Sequence, residues 1–116
     1  MFVHNNKRTF PRIAQRSPLR YQKRGMPDFR HAISDNISVG GLSFIDESFF
    51  PTETLLMFEI NLLSRVLHPA GRVAWSQALP HCARRRTGIE FVELNQSEKN
   101  YLSDYISMQL NHGRGI

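Results

Sequence analysis

Polar and apolar residues alternate along most of this chain, and a helical period replaces the alternation only near its end. The clearest run is residues 55–63. Leu56, Phe58, Ile60 and Leu62 share one face, while Met57, Glu59 and Asn61 share the other, which predicts a half-buried strand. A shorter run alternates Leu19 and Tyr21 with Arg20 and Gln22. Gly25 and Pro27 mark a turn, and residues 29–39 then predict a second strand. In it Ile33, Ile37 and Val39 are expected to face the core, with Ser34, Asn36 and Ser38 on the opposite face. Gly40 and Gly41 break the run, and residues 42–45 restart it. Pro69 and Gly71 bracket a turn before a strand at residues 72–75. Residues 78–86 read as a loop or strand entry. Residues 87–94 read as a last strand, with Ile89 and Phe91 on one face.

The period then changes. Asn95 followed by Glu98 has the spacing of a capping box. Tyr101, Leu102, Tyr105, Ile106 and Leu110 follow at helical intervals, so a helix is expected over residues 96–110. Residues 1–17 show little periodicity and contain Pro11, with Pro18 just beyond, and they read as a flexible basic N-terminal leader. Residues 111–116, with Gly113 and Gly115, read as a disordered tail. About six short strands and one helix predict an all-β fold, an antiparallel barrel or sandwich with the helix over an open end or face.

A chain of 116 residues suits one domain with one core, and its 41% apolar and 22% charged residues suit a folded protein. A single cysteine, Cys82, excludes an internal disulfide and a paired-cysteine zinc site. The five histidines lack metal-ligand spacing. No apolar run follows the N-terminal charges, so a secretory leader is not expected. No stretch approaches the roughly 20 apolar residues of a membrane-spanning helix. A cytoplasmic protein is the expectation.

Charge changes the picture more. Residues 1–30 hold eight basic residues and one acid, a net +7, whereas residues 31–116 net −2. The whole excess of the +5 chain therefore sits at the N-terminus, which points to an anionic partner there. Enzyme chemistry finds no foothold. The carboxylates are scattered, no serine or cysteine lies in a nucleophile motif, and no glycine-rich phosphate loop opens a helix.

Two short patterns stand out. Lys7-Arg8-Thr9-Phe10-Pro11-Arg12 places two arginines four apart with a lysine before them. Guanidinium forks suit phosphate oxygens and the acceptor edge of guanine, and in an extended leader residues four apart project to one side. Asn36-Ile37-Ser38-Val39-Gly40-Gly41 places an amide and a hydroxyl in one outward row, before glycines that allow close backbone approach. Asn and Ser are also turn formers, and a plain strand end is the competing reading.

Together the two patterns resemble the PilZ domain, a bacterial receptor module for cyclic diguanylate (c-di-GMP). Its signature is R-x-x-x-R followed by [D/N]-x-S-x-x-G. Arg8 and Arg12 match the first part, and Asn36, Ser38 and Gly41 match the second. The segments Gly71-Arg-Val-Ala-Trp75 and Thr87-Gly-Ile-Glu-Phe-Val-Glu-Leu94 also resemble the family. The resemblance implies a six-stranded antiparallel β-barrel with a C-terminal helix over residues 18–110, preceded by the leader. It implies that Arg8 and Arg12 hold phosphates and guanine edges, and that Asn36, Ser38 and Gly41 hold a guanine against the barrel. Lys7 stands where the family often has arginine, which leaves open one bound ligand or a stacked pair. Trp75 is in phase with Val73, as a core residue would be, but an indole beside the site would stack on guanine.

The expected function is a non-enzymatic c-di-GMP receptor with no cofactor. The leader would order over the ligand and present a new surface to a separate, unidentified protein, since no output domain is visible in the chain. The alternatives are a nucleotide-independent adaptor in motility or pilus function and a general nucleic-acid-binding barrel. The last lacks a row of exposed aromatics for base stacking.

Overall fold

A computed structural model describes residues 10–114 of the chain, with side chains through Asn111. Eight strands precede one helix: β1 (Ile13–Ala14), β2 (Pro18–Lys23), β3 (Arg30–Ser38), β4 (Gly41–Asp46), β5 (Leu55–Leu62), β6 (Arg65–Leu67), β7 (Ala70–Ala78), β8 (Arg85–Glu93) and α1 (Gln96–Arg114). Six of them close a ring in which every pairing is antiparallel. β2 pairs with β3 and β5, β5 with β7, β7 with β8, β8 with β4, and β4 with β3. The fold is therefore the expected six-stranded antiparallel barrel with one C-terminal helix. The two short strands are extensions. β1 pairs with β3 at Ile37 and Asn36, beyond the β2 pairing, and β6 pairs with β5 beyond the β7 pairing.

The barrel fills because inward positions carry large apolar side chains. Tyr21, Phe44 and Phe58 meet at its centre with ring centroids 4.9–6.0 Å apart, and Phe50 stands edge-on to Tyr21. The Tyr21 hydroxyl donates to the Asp46 carboxylate and lies 3.2 Å from Ser48 Oγ. Burial, and then the Asp46 carboxylate, push this hydroxyl well above the ordinary phenol range, so it stays a donor. Leu102, Tyr105 and Ile106 of α1 join the same core. The helix is fixed to the barrel by Tyr101 Oη on Leu62 O at 2.8 Å and Tyr105 Oη on Gln15 Oε1 at 2.9 Å. Its start follows the capping spacing in half. Glu98 N donates to Asn95 Oδ1 at 2.8 Å, but the Glu98 carboxylate accepts from His68 N at 2.8 Å, tying the helix to the turn before β7.

Three expectations change. Ile33 does not share the core face with Ile37. It is 43% exposed while Ser34 is buried, because the β3–β4 register shifts between Ser34 and Asn36. A bulge there adds one residue, Asp35, and inverts the alternation on either side. Trp75 is not a core residue. It is 39% exposed, because a second register shift between Val73 and Trp75 breaks its phase with Val73. The helix runs four residues past the expected end, into the segment read as a tail.

Thr87 faces inward on β8, opposite Phe44, and its Oγ1 has no hydrogen-bond partner among the described residues. A buried hydroxyl without a partner opposes folding. Thr87→Val keeps the shape and removes that group. It is expected to leave stability unchanged or raise it by up to about 1 kcal/mol in urea unfolding. A loss of stability would mean that the hydroxyl is paired.

Candidate functional site

The site is built on the outer face of the barrel. The bulge at Asp35 shifts the β3–β4 register between Ser34 and Asn36, and from Asn36 the register carries a row across four strands. Asn36 pairs with Ser43, Ser43 with Gly88, and Gly88 with Trp75. Residues in one such row project from the same face of a sheet. With no side chain at Gly88, the Trp75 indole lies over that position, where a Cβ would overlap the ring. The indole is thus laid along the barrel surface instead of standing off it. Ser43 Oγ lies 3.4 Å from Asp35 Oδ2, and Arg86 Nε donates to the same oxygen at 3.1 Å. This half-exposed ion pair fixes a guanidinium beside the row.

The leader meets this face from the other side. Ile13 and Ala14 extend the sheet beside Ile37 and Asn36. Arg12 Nη1 donates to Asn36 Oδ1 at 3.0 Å, so the second arginine of R-x-x-x-R touches the first residue of N-x-S-x-x-G. Phe10 lies on Gly40, where a Cβ would collide with its ring. Gln15 N bonds Asp35 O at 3.2 Å, and Ser17 and Ser34 are bonded to one another (N to Oγ, 2.9 Å; N to O, 3.0 Å). Residues 10–17 therefore lie along β3. Lys7 and Arg8 fall outside the described residues.

The remaining motif residues have local partners. Asn36 and Ser38 share the outer face, but Ser38 is only 4% exposed. Its Oγ accepts from Gly40 N at 3.1 Å and lies 3.4 Å from Gly41 O. It braces the β3–β4 turn. Gly41 is required by packing: a Cβ there would overlap the Ile89 carbonyl oxygen on β8. Three residues that the motif did not single out join the site by fold alone, namely Asp35, Ser43 and Arg86. They become neighbours through the bulge and the β4–β8 register. No motif spacing marks them, although Arg86 belongs to a conspicuous arginine run. Among the described residues no group of three His, Cys, Asp or Glu could hold a metal ion. No helix among them is long and apolar enough to cross a membrane.

The arrangement offers two guanidinium groups, one carboxamide and one exposed indole face on a shallow surface. Those groups suit a flat, anionic ligand with hydrogen-bonding edges. Comparison with known proteins agrees with the fold. The family model described as the PilZ domain matches residues 6–107. The Bacillus subtilis inhibitor of motility MotI/DgrA is similar over 90% of this chain and 52% of its own, at 23% identity and a TM-score of 0.78. YcgR of Escherichia coli, in complex with c-di-GMP, is similar over 94% of this chain and 48% of its own, at 14% identity and a TM-score of 0.77. The PilZ domain of YcgR with c-di-GMP is covered to 93%, at 15% identity and a TM-score of 0.66. The chain thus spans about half the length of the first two. No curated protein matches it.

Gly41→Ala is expected to damage the fold before any binding step. The clash is with backbone, which has little room to shift, so the loss should reach at least about 3 kcal/mol, the upper end of ordinary overpacking. Thermal unfolding followed by circular dichroism checks this. A wild-type melting point would mean that β4 and β8 are not in close contact at this position.

Proposed function

The chain belongs to the PilZ domain family, a family of c-di-GMP receptors, and from that membership we propose that it binds c-di-GMP on the outer face of β3 and β4. PilZ domains are receptor and adaptor domains and not catalysts. The observation that carries the proposal is the 3.0 Å bond from Arg12 Nη1 to Asn36 Oδ1, because it joins the two halves of the signature on one surface.

The proposed binding follows from the chemistry of each group. The Arg12 fork, with Lys7 and Arg8 of the leader, meets the phosphates and the O6/N7 edge of a guanine. Asn36 offers a carboxamide to the same base. Antiparallel strands lie about 4.8 Å apart, and β3 and β7 stand three places apart in a ring of six, so Trp75 reaches this face only through its indole over Gly88, about 10 Å from Asn36 across two spacings. There the indole gives the far end of the ligand a stacking face. Ser38 and Gly41 act indirectly here, by holding the turn that shapes the surface. In this reading residues 10–17 already lie along β3, and the leader segment before them, which carries Lys7 and Arg8, closes over the bound dinucleotide. Ordering it costs conformational entropy, which charge-assisted hydrogen bonds must exceed. The closed leader and ligand then form a surface for a partner protein.

A nucleotide-independent adaptor is the second reading. It draws support from Ser38, whose hydroxyl is already engaged within the β3–β4 turn.

Calorimetric titration with c-di-GMP separates the two. Arg8→Ala and Arg12→Ala are each expected to weaken binding by about 1.5–3 kcal/mol, the scale of a hydrogen bond to a charged group. That corresponds to a loss of about tenfold to a hundredfold. Wild-type affinity in both variants would remove the clamp. No heat from the unsubstituted chain, with the ligand shown active on another receptor, would favour the adaptor.

A further inference from the structure

A second concave surface lies beyond the Asp35–Arg86 ion pair. It is a cleft of about 400 Å³, within the size range of small-molecule sites. Ile33 and Ile45 face each other across β3 and β4 and line it with apolar surface. Ile33 is exposed there only because the bulge inverted the phase of β3. Arg16, Arg30 and Arg84 also line the cleft. They come from the bend before β2, the start of β3 and the turn before β8, so folding and not sequence spacing brings them together.

Arg20, Arg72 and Arg86 each have a carboxylate partner, at 2.8, 2.9 and 3.1 Å. Among the described residues, Arg16, Arg30 and Arg84 pair with no carboxylate. Arg30 Nη1 donates only to Ser48 Oγ, at 2.6 Å. Two acids also line the cleft, but both oxygens of Asp46 are already used, one by the Tyr21 hydroxyl and one by Ser48 N at 2.9 Å. Asp46 and Glu47 together still set two negative charges against three guanidinium groups, so the lining keeps a net positive charge. None of Arg12, Asn36, Ser38, Gly41 or Trp75 lines this cleft.

We propose that this cleft is a second ligand site, for a small organic phosphate. The phosphate is held by Arg16 and Arg84 with Arg30 beside them, and the apolar or aromatic body rests on Ile33 and Ile45. Guanidinium forks match the tetrahedral, doubly charged phosphate, and the isoleucines favour a ligand with a flat body over inorganic phosphate. The proposal does not depend on c-di-GMP binding, because it uses different residues.

The test is an amide chemical-shift titration of the full chain with excess c-di-GMP already present. Adenosine 5′-monophosphate is the probe, with adenosine and inorganic phosphate as separate controls at matched ionic strength. Saturable shifts are expected at residues 30–34, 45–48 and 84, with either control binding more weakly than the whole probe. The double variant Arg16→Gln/Arg84→Gln should bind the probe about tenfold more weakly and keep its melting temperature. Arg84→Lys, which keeps the charge without the fork, should fall in between. No saturable shift, shifts centred on Arg12, Asn36 and Trp75, or unchanged affinity in the double variant would each overturn the proposal. Failure of c-di-GMP itself would show at Arg12 and Asn36 and leave the cleft titration readable.

Discussion

The bulge at Asp35 decides what each face of β3 carries, and both candidate sites depend on it. Before the bulge, even-numbered residues point inward, so Ala32 and Ser34 are buried and Ile33 is exposed. After it the phase is inverted, and Ile37 enters the core. The extra residue is held from several sides. Its backbone oxygen accepts from Gln15 N, and its carboxylate meets Arg86 and Ser43. One irregularity therefore anchors the leader, positions Asn36 and places Ile33 at the cleft. Without it, a strand of this length would hold a single phase, and Ile33 and Ile37 would share a face.

The legible part of the fold is the part with undisturbed alternation. Residues 55–62 form the strand that their pattern describes, with Leu56, Phe58, Ile60 and Leu62 buried. The helix start was legible for a similar reason, because Asn95 caps through a short-range bond. Bulges are invisible to a periodicity argument, because it assumes one phase per strand. That is why the pattern predicts the wrong face for Ile33 and Trp75. The short strands at Ile13–Ala14 and Arg65–Leu67 are too brief to show any period. They exist because β3 and β5 extend beyond β2 and β7 and would otherwise leave backbone groups without partners.

The candidate site was legible as a motif and not as a surface. Spacing alone picked out Arg12 and Asn36, and the fold brings them within hydrogen-bond distance. Spacing could not separate residues that face solvent from residues that maintain the turn, since Ser38 and Gly41 fit the same pattern as Asn36. Nor could it find Arg86, which reaches Asp35 across 51 residues of chain. Contacts of that kind follow from barrel closure, where β4 and β8 become neighbours late in the chain.

The charge of the N-terminal segment takes on a different meaning once the barrel closes around it. An excess of +7 within 30 residues suggests one basic arm for one anion. The fold divides that charge instead. Arg12 turns towards Asn36, Arg20 crosses to Glu59 on β5, and Arg16 and Arg30 fall on the cleft at the other end of the β3–β4 ladder. Arg20 is neutralised by its partner, and Phe29 covers its guanidinium at 4.0 Å. The basic segment is therefore spread over several places on the barrel: Arg20 is paired with a carboxylate, while Arg16 and Arg30 on the cleft pair with none among the described residues.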